Sequence, residues 1–251
     1  MPVAELHEPA TLALVGAILW FAFFVRGISG FGSATVAIPL LAHVTPLKLA
    51  VPLLLVLDFA ATLATLKIDR GLIEKREVRR LLPFAIVGVI AGATLLVRLP
   101  AAWLLGVLGA LVVFYGVRTL LQPGAGRPVS TLWAAPAGFT GGLLGGMFGS
   151  GAATPYMIYL TRRLHDRRRV RATFTGFAFF DYGFRLITFA IAGLLLDRTL
   201  GVLLLLGLPA MALGLYAGNL VHHRISNEKA LRFIGVLLVL SGASLLAKSW
   251  Q

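Results

Sequence analysis

Long apolar runs separated by short basic stretches organise this chain. Runs at 46–66, 81–97, 100–121, 172–196, 200–221 and 230–248 each approach or exceed the ~20 residues that cross a hydrocarbon core about 30 Å thick. They predict six spanning helices. Two further stretches break the pattern. Ala10–Val25 is followed by RGISGFGSATVAIPLL, and Leu132–Leu144 is followed by GGMFGSGAATPYMIYL. The piece 152–161 would span only about 15 Å as a helix, half of such a core. Glycine and proline at this density predict broken backbone, which is tolerated at bilayer depth only where it is buried in protein or lines a cavity. Each stretch reads as two short helices meeting at a Gly loop, a re-entrant hairpin. The rival reading is a pair of short full crossings, since Ala10–Val25 is nearly long enough to span.

Composition agrees. The chain is 58% hydrophobic and 13% charged, where soluble domains run at about 25% charged. The fold expected is an all-α polytopic membrane protein. The N-terminal residues include Glu5 and Glu8 and no basic n-region, so no removable signal peptide is expected.

The formal charge of +13 invites a nucleic-acid reading, but the positions of the cations oppose it. Of the 23 Lys and Arg, six lie in 67–80, two in 118–130, six in 162–171 and three in 222–232, all between apolar runs. By the positive-inside rule these loops mark the cytoplasmic side, and the Arg-rich runs are expected to touch anionic lipid. Lys48, Arg98, Arg198 and Lys248 fall at the opposite ends, leaving Arg26 and Arg185 as intramembrane cations. With no Cys in the chain, thiol chemistry and thiolate metal sites are excluded. The five His show no metal-ligand spacing, so neither a metal nor a cofactor is expected.

The chain repeats itself. Pro83-x4-Gly88-x3-Gly92 recurs as Pro209-x4-Gly214-x3-Gly218 at an offset of 126, and Gly109 and Gly116 match Gly235 and Gly242 at the same offset. Asp58-Phe59 matches Asp181-Tyr182, and Phe31-Gly32-Ser33 matches Phe148-Gly149-Ser150. The division is therefore 1–121 for the first membrane repeat, 122–130 for a cytoplasmic linker and 131–251 for the second repeat. The run 46–66 ends at a basic loop, whereas its counterpart 172–196 begins at one. The repeats are thus expected to have inverted topology, each a Gly-rich hairpin followed by three transmembrane helices, with both termini periplasmic. The PxxxxGxxxG elements read as a helix-packing seam.

Two carboxylates, Asp58 and Asp181, sit in the middle of apolar runs. At that depth a carboxylate has a partner, faces the bundle interior or marks an ion path. Arg185 follows Asp181 by one helical turn and can pair with it. Asp58 has no basic residue on its own helix, so it is expected to be protonated or paired across helices. The two Gly loops are expected to present helix N-termini, whose free N–H groups carry partial positive charge. Together with the Ser33, Thr35, Ser150 and Thr154 hydroxyls, and with Gly30, Gly32, Gly146, Gly149 and Gly151 allowing close backbone approach, they would form an anion site. Arg26 and Arg185 would add guanidinium recognition, and Asp58 and Asp181 are the candidates for proton coupling.

At these loops the chain resembles the sulfite exporter TauE/SafE family of bacterial inner-membrane proteins, on GISGFGSATVAIPLL and GGLLGGMFGSGAATPYMIYL. The resemblance covers nearly the whole chain. It implies export of sulfite or small organosulfonates such as sulfoacetate, and it carries over Gly30, Gly32, Ser33, Gly146, Gly149 and Ser150. Asp58, Asp181 and Arg185 match no general motif of that family. Relatives that handle thiosulfate through cysteines are disfavoured. The expected function is a secondary transporter exporting a small oxyanion from a bacterial inner membrane. Its partners are that anion and the lipid bilayer, with a homo-oligomer compatible and nucleic acid excluded. A cation or metal permease using the two Asp is the alternative. An intramembrane enzyme is a poorer one, because no nucleophile–base constellation is present, and ATP is not the direct driver because no Walker motif is present.

Overall fold

The computed structural model of the chain describes residues 8–30, 32–65, 70–121, 128–149, 153–164, 166–221 and 227–249. Among these residues the structure is helical throughout, with no strand. The first half contributes α1 (Pro9–Ser29), α2 (Ser33–Leu41), α3 (Leu47–Thr65), α4 (Lys75–Arg98) and α5 (Ala101–Leu121). The second contributes α6 (Ala134–Phe148), α7 (Ala153–Arg163), α8 (Arg167–Ile191), α9 (Arg198–Val221) and α10 (Asn227–Ser249). Most of the proposed linker, residues 122–127, lies outside the described residues.

Among the described residues, six helices, α1, α3, α4, α5, α8 and α9, are long and apolar enough to cross a membrane. Three of them depart from expectation, α4 by starting at Lys75, six residues before its apolar run. α1 is not a short helix. It runs for 21 residues, about 31 Å, because Arg26 is buried against a partner rather than ending the helix at the membrane edge. α8 starts five residues before the apolar run and stops at Ile191, although the run continues to Leu196. The chain turns there at Gly193, whose φ of +73° suits glycine. α2, α6 and α7 are short, at 9, 15 and 11 residues.

The glycine seams pair the two halves. A Cβ on Gly88 or Gly92 of α4 would collide with the α6 backbone around Phe139 and Leu143, and Gly138, Gly142 and Gly146 of α6 face α4 in return. Gly214 and Gly218 of α9 meet the α1 backbone at Trp20 and Phe24 in the same way. In both pairs residue numbers rise together, so the paired helices run parallel. Gly109 faces Gly242, and Gly116 faces Gly235, so α5 and α10 run antiparallel. Small residues let these backbones approach closely, which is how apolar helices associate where lipid tails remove the hydrophobic drive. The PxxxxGxxxG elements are packing seams, as their spacing predicts.

The interior is aliphatic, built on residues such as Leu19, Ile38, Leu53 and Leu57, all fully buried. The exterior is apolar too. Trp103, Phe114, Leu205, Ile187 and Leu213 are each at least 60% exposed, more contiguous apolar surface than water tolerates on a monomer and what lipid requires.

Candidate functional site

The α1–α2 turn carries the first cluster. α1 ends because Gly30 takes φ +86°, its N–H donating to the Arg26 carbonyl at 2.7 Å. Gly32, at φ +93°, then starts α2 with Ser33 as its first residue. Among the described residues nothing crowds the Cβ position of Gly32, and its positive φ is what favours glycine there. Nearly buried Arg26 and Asp58 face each other between α1 and α3. Arg26 Nη1 donates to Asp58 Oδ1 at 2.5 Å, and Arg26 Nη2 donates to Thr62 Oγ1 at 2.8 Å. Ser33 Oγ donates to the same Asp58 Oδ1 at 2.5 Å. Thr62 Oγ1 in turn donates to the Asp58 carbonyl at 2.7 Å. Asp58 is therefore paired across helices, and the pair ties α1, α2 and α3 together.

The second cluster lies on α8. Arg185 Nη2 donates to Asp181 Oδ2 one turn earlier, as the sequence spacing predicts. Tyr156 of α7 donates to Asp181 Oδ1 at 3.4 Å. Gly145 of α6 makes room for the guanidinium, because a Cβ there would overlap it, and Gly141 makes room for the Tyr156 ring. The Tyr182 ring centroid lies 5.3 Å from Arg185 Cζ. Among the described residues, the buried Arg185 Nε has no hydrogen-bond partner. The two clusters adjoin where α3 meets α8. Phe59 stacks on Phe179 with centroids 5.7 Å apart, and Tyr182 lies within electrostatic reach of Arg26, Asp58, Asp181 and Arg185 together.

The structure thus gathers Arg26, Gly30, Gly32, Ser33 and Asp58 into one cluster, and Asp181 and Arg185 into the other. Gly149 closes α6 at φ +63°, its N–H donating to the Gly145 carbonyl at 2.8 Å. Ser150 and Gly151 lie outside the described residues. Thr35 and Thr154 are half-buried in the first turns of α2 and α7. Gly146 has another position than expected. It faces α4, where a Cβ would come within 2.5 Å of the Val89 carbonyl, so it belongs to the helix seam rather than to an open loop.

Sequence reasoning missed Glu77. This buried carboxylate in the first turn of α4 accepts from Arg80 at 2.6 Å, Tyr159 at 2.5 Å and Arg163 at 3.3 Å. It locks α7 to α4. Arg169 similarly pairs with Glu74 at 3.0 Å, and the Arg171 side chain packs over Gly30. Arginines expected only to face lipid therefore also hold the bundle. The signal was a lone Glu inside the run KREVRR, in a chain with ten acidic residues.

Two buried carboxylates are thus each partnered by a buried guanidinium, the first beside the α1–α2 Gly turn and the second against Gly145 inside α6. Compared with known families, residues 14–245 match the one described as Sulfite exporter TauE/SafE. The chain belongs to the TauE/SafE family. No curated protein and no solved structure matches it. As a TauE/SafE member with six apolar helices long enough to span, it is a multi-pass membrane protein of the sulfite-exporter type of anion transporter.

Proposed function

We propose that this TauE/SafE protein exports a small oxyanion, sulfite or an organosulfonate such as sulfoacetate, by alternating access around the two ion-pair clusters. In this reading Asp58 is a stand-in for substrate. Its carboxylate takes the Ser33 hydroxyl and the Arg26 guanidinium, the donors that an incoming oxyanion would use beside the positive end of α2. A proton on Asp58 or Asp181 removes the counter-charge and frees its Arg. Proton and anion then move together, because neither charge is stable at depth alone.

The observation that carries this reading is the buried Arg185, which has one donor on Asp181 and its Nε unpartnered among the described residues. That is a cation with capacity left for an acceptor. A cation permease fares worse on the same geometry. Each Asp faces a guanidinium rather than another carboxylate, so a metal ion would have to displace an arginine.

The test is flux of sulfite or sulfoacetate into and out of proteoliposomes under an imposed pH gradient, alongside equilibrium binding. Asp181→Asn should abolish gradient-driven transport while retaining or tightening anion binding, because Arg185 is freed. Uphill transport by Asp181→Asn with wild-type pH dependence would reduce Asp181 to the structural counter-ion of Arg185.

The architecture we propose around this site is a pair of inverted repeats in a bacterial inner membrane. Parallel α1–α9 and α4–α6 pairs with an antiparallel α5–α10 pair support it, since an inverted repeat pairs its elements across halves in that way. α2 returns the chain toward the end where α1 began, and α7 does the same for α6. We read α1–α2 and α6–α7 as re-entrant hairpins, and both termini as periplasmic. Cysteines introduced at Arg98 and Arg198 should react with an impermeant thiol reagent from the periplasm, and ones at Lys75 and Arg168 only after permeabilisation. The reverse pattern would sink the topology.

A further inference from the structure

A partly open cavity of about 490 Å³ lies at the end of the bundle away from the basic loops. Its walls are the α2–α3 connection from Ala42 to Lys48, the α4–α5 connection from Leu99 to Leu105, and Lys248 near the end of α10. Its volume falls within the ~300–1,000 Å³ of small-molecule sites, far more than a bare oxyanion needs. Leu47, Leu99, Leu104 and Leu105 give it an apolar lining.

Its polar groups share one preference. Among the described residues, Lys48 and Lys248 are the charged lining residues, and no Asp or Glu lines the cavity. Lys48 Nζ donates to the Val97 carbonyl at 3.1 Å, and Lys248 Nζ donates to the Ala42 and His43 carbonyls at 3.3 and 3.2 Å. The Lys248 contacts place its charge at the C-terminal end of α2, where a helix favours a cation. Each ammonium is thereby held in place, and among the described residues Lys48 uses one of its three donors. Burial and the Lys248 charge push the His43 pKa below the ordinary imidazole value, so the ring stands there neutral and can donate a hydrogen bond. Thr45 is 4% exposed and its Oγ1 has no partner among the described residues, although the residue lines the cavity. A ligand atom that reached this hydroxyl would supply the partner it lacks.

From this geometry we infer that the cavity binds a small organic anion, an oxyanion head between Lys48, Lys248 and Thr45 with an apolar body against the leucines. The site is separate from the ion-pair clusters and does not rest on their assignment. α2 and α3 both run between the two places, α3 carrying Lys48 at one and Asp58 at the other, and α2 is the shorter path. Its nine residues put Ser33 and the cavity floor about 13 Å apart. A free organic anion and an anionic lipid headgroup share the required chemistry.

The absence of native cysteine permits a local test on the full chain. Ala101 is exposed at the cavity rim. Ala101→Cys, in nanodiscs of phosphatidylcholine, should react several-fold faster with an anionic methanethiosulfonate reagent than with its cationic analogue. Butanesulfonate should slow that reaction at least fivefold. Adding Lys48→Gln and Lys248→Gln should abolish both the charge preference and the protection. Thr45→Val should weaken protection at least threefold and leave the charge preference intact. That variant removes no contact seen among the described residues, so it carries the test if the double Lys variant does not fold.

Nanodiscs containing phosphatidylglycerol separate the two sources. Slow labelling there without added butanesulfonate, and no effect of butanesulfonate in phosphatidylcholine, assigns the cavity to a lipid headgroup. Equal rates for both reagents, with no protection by either anion, overturn the site. Because the readout is labelling at the rim, it is indifferent to whether the central clusters carry sulfite.

Discussion

The two ion pairs do the same electrostatic job with different wiring. Arg26–Asp58 joins helices far apart in sequence. Its guanidinium reaches Asp58, Thr62 and, at 3.5 Å, the Ser33 hydroxyl, and Asp58 receives the further Ser33 bond. Arg185–Asp181 stays within one helix, leans on a distant Tyr156 hydroxyl at 3.4 Å and leaves Arg185 Nε unpartnered among the described residues. The first pair is saturated and fastens three elements. The second has donor capacity to spare and fastens fewer. A saturated buried pair resists change, because removing one partner strands the other. An under-used one responds to a ligand at lower cost. The halves share a repeat pattern, yet one pair fastens helices from three elements and the other lies within a single helix.

The sharpest way to break this comparison is to neutralise each carboxylate and measure unfolding. Asp58→Asn should cost about 3–5 kcal/mol and lower the thermal midpoint more than Asp181→Asn, since it loosens α1 and α2 from α3. A larger drop for Asp181→Asn would reverse the assignment of roles.

Gly145→Ala should come next in effect. Its Cβ would overlap the Arg185 guanidinium, so flux should fall at least tenfold in proteoliposomes while the helix itself gains propensity. A control at Gly183, where the nearest atom to an added Cβ is Phe59 at 3.9 Å, should leave flux within about twofold. Equal losses at the two positions would mean that Arg185 has no special need of that space.

Ser33→Val should be the smallest of the three. It removes one donor from Asp58 and one from an incoming oxyanion. A hydrogen bond to a charged group is worth about 1.5–3 kcal/mol, so anion binding should weaken by roughly tenfold with near-normal expression. Wild-type affinity would show that the first Gly turn does not face the substrate.

Among the described residues, apolar run length gave all the long helices but α1, because crossing a fixed thickness needs a fixed number of residues. The glycine offsets predicted the seams, since close backbone approach leaves no alternative residue type. The Arg185–Asp181 pair was equally legible, because four residues on a helix put two side chains on one face. The reach of α1 past Arg26 was not legible. A cation near a helix end looks the same whether it seeks water or a buried partner, and only the packing of α3 beside α1 supplies Asp58. Glu77 was hidden for the same reason, as its partners Tyr159 and Arg163 come from α7.

The sequence by itself therefore determined the membrane class, the seam glycines and the pairing of Arg185 with Asp181, all of which follow from composition or from spacing along the chain. The tertiary structure decided which charges neutralise one another across helices, which hydroxyls they share, that Gly145 exists to admit a guanidinium, and that two lysines 200 residues apart line one cavity. Those facts depend on how helices are set side by side, and no periodicity within a single helix encodes them.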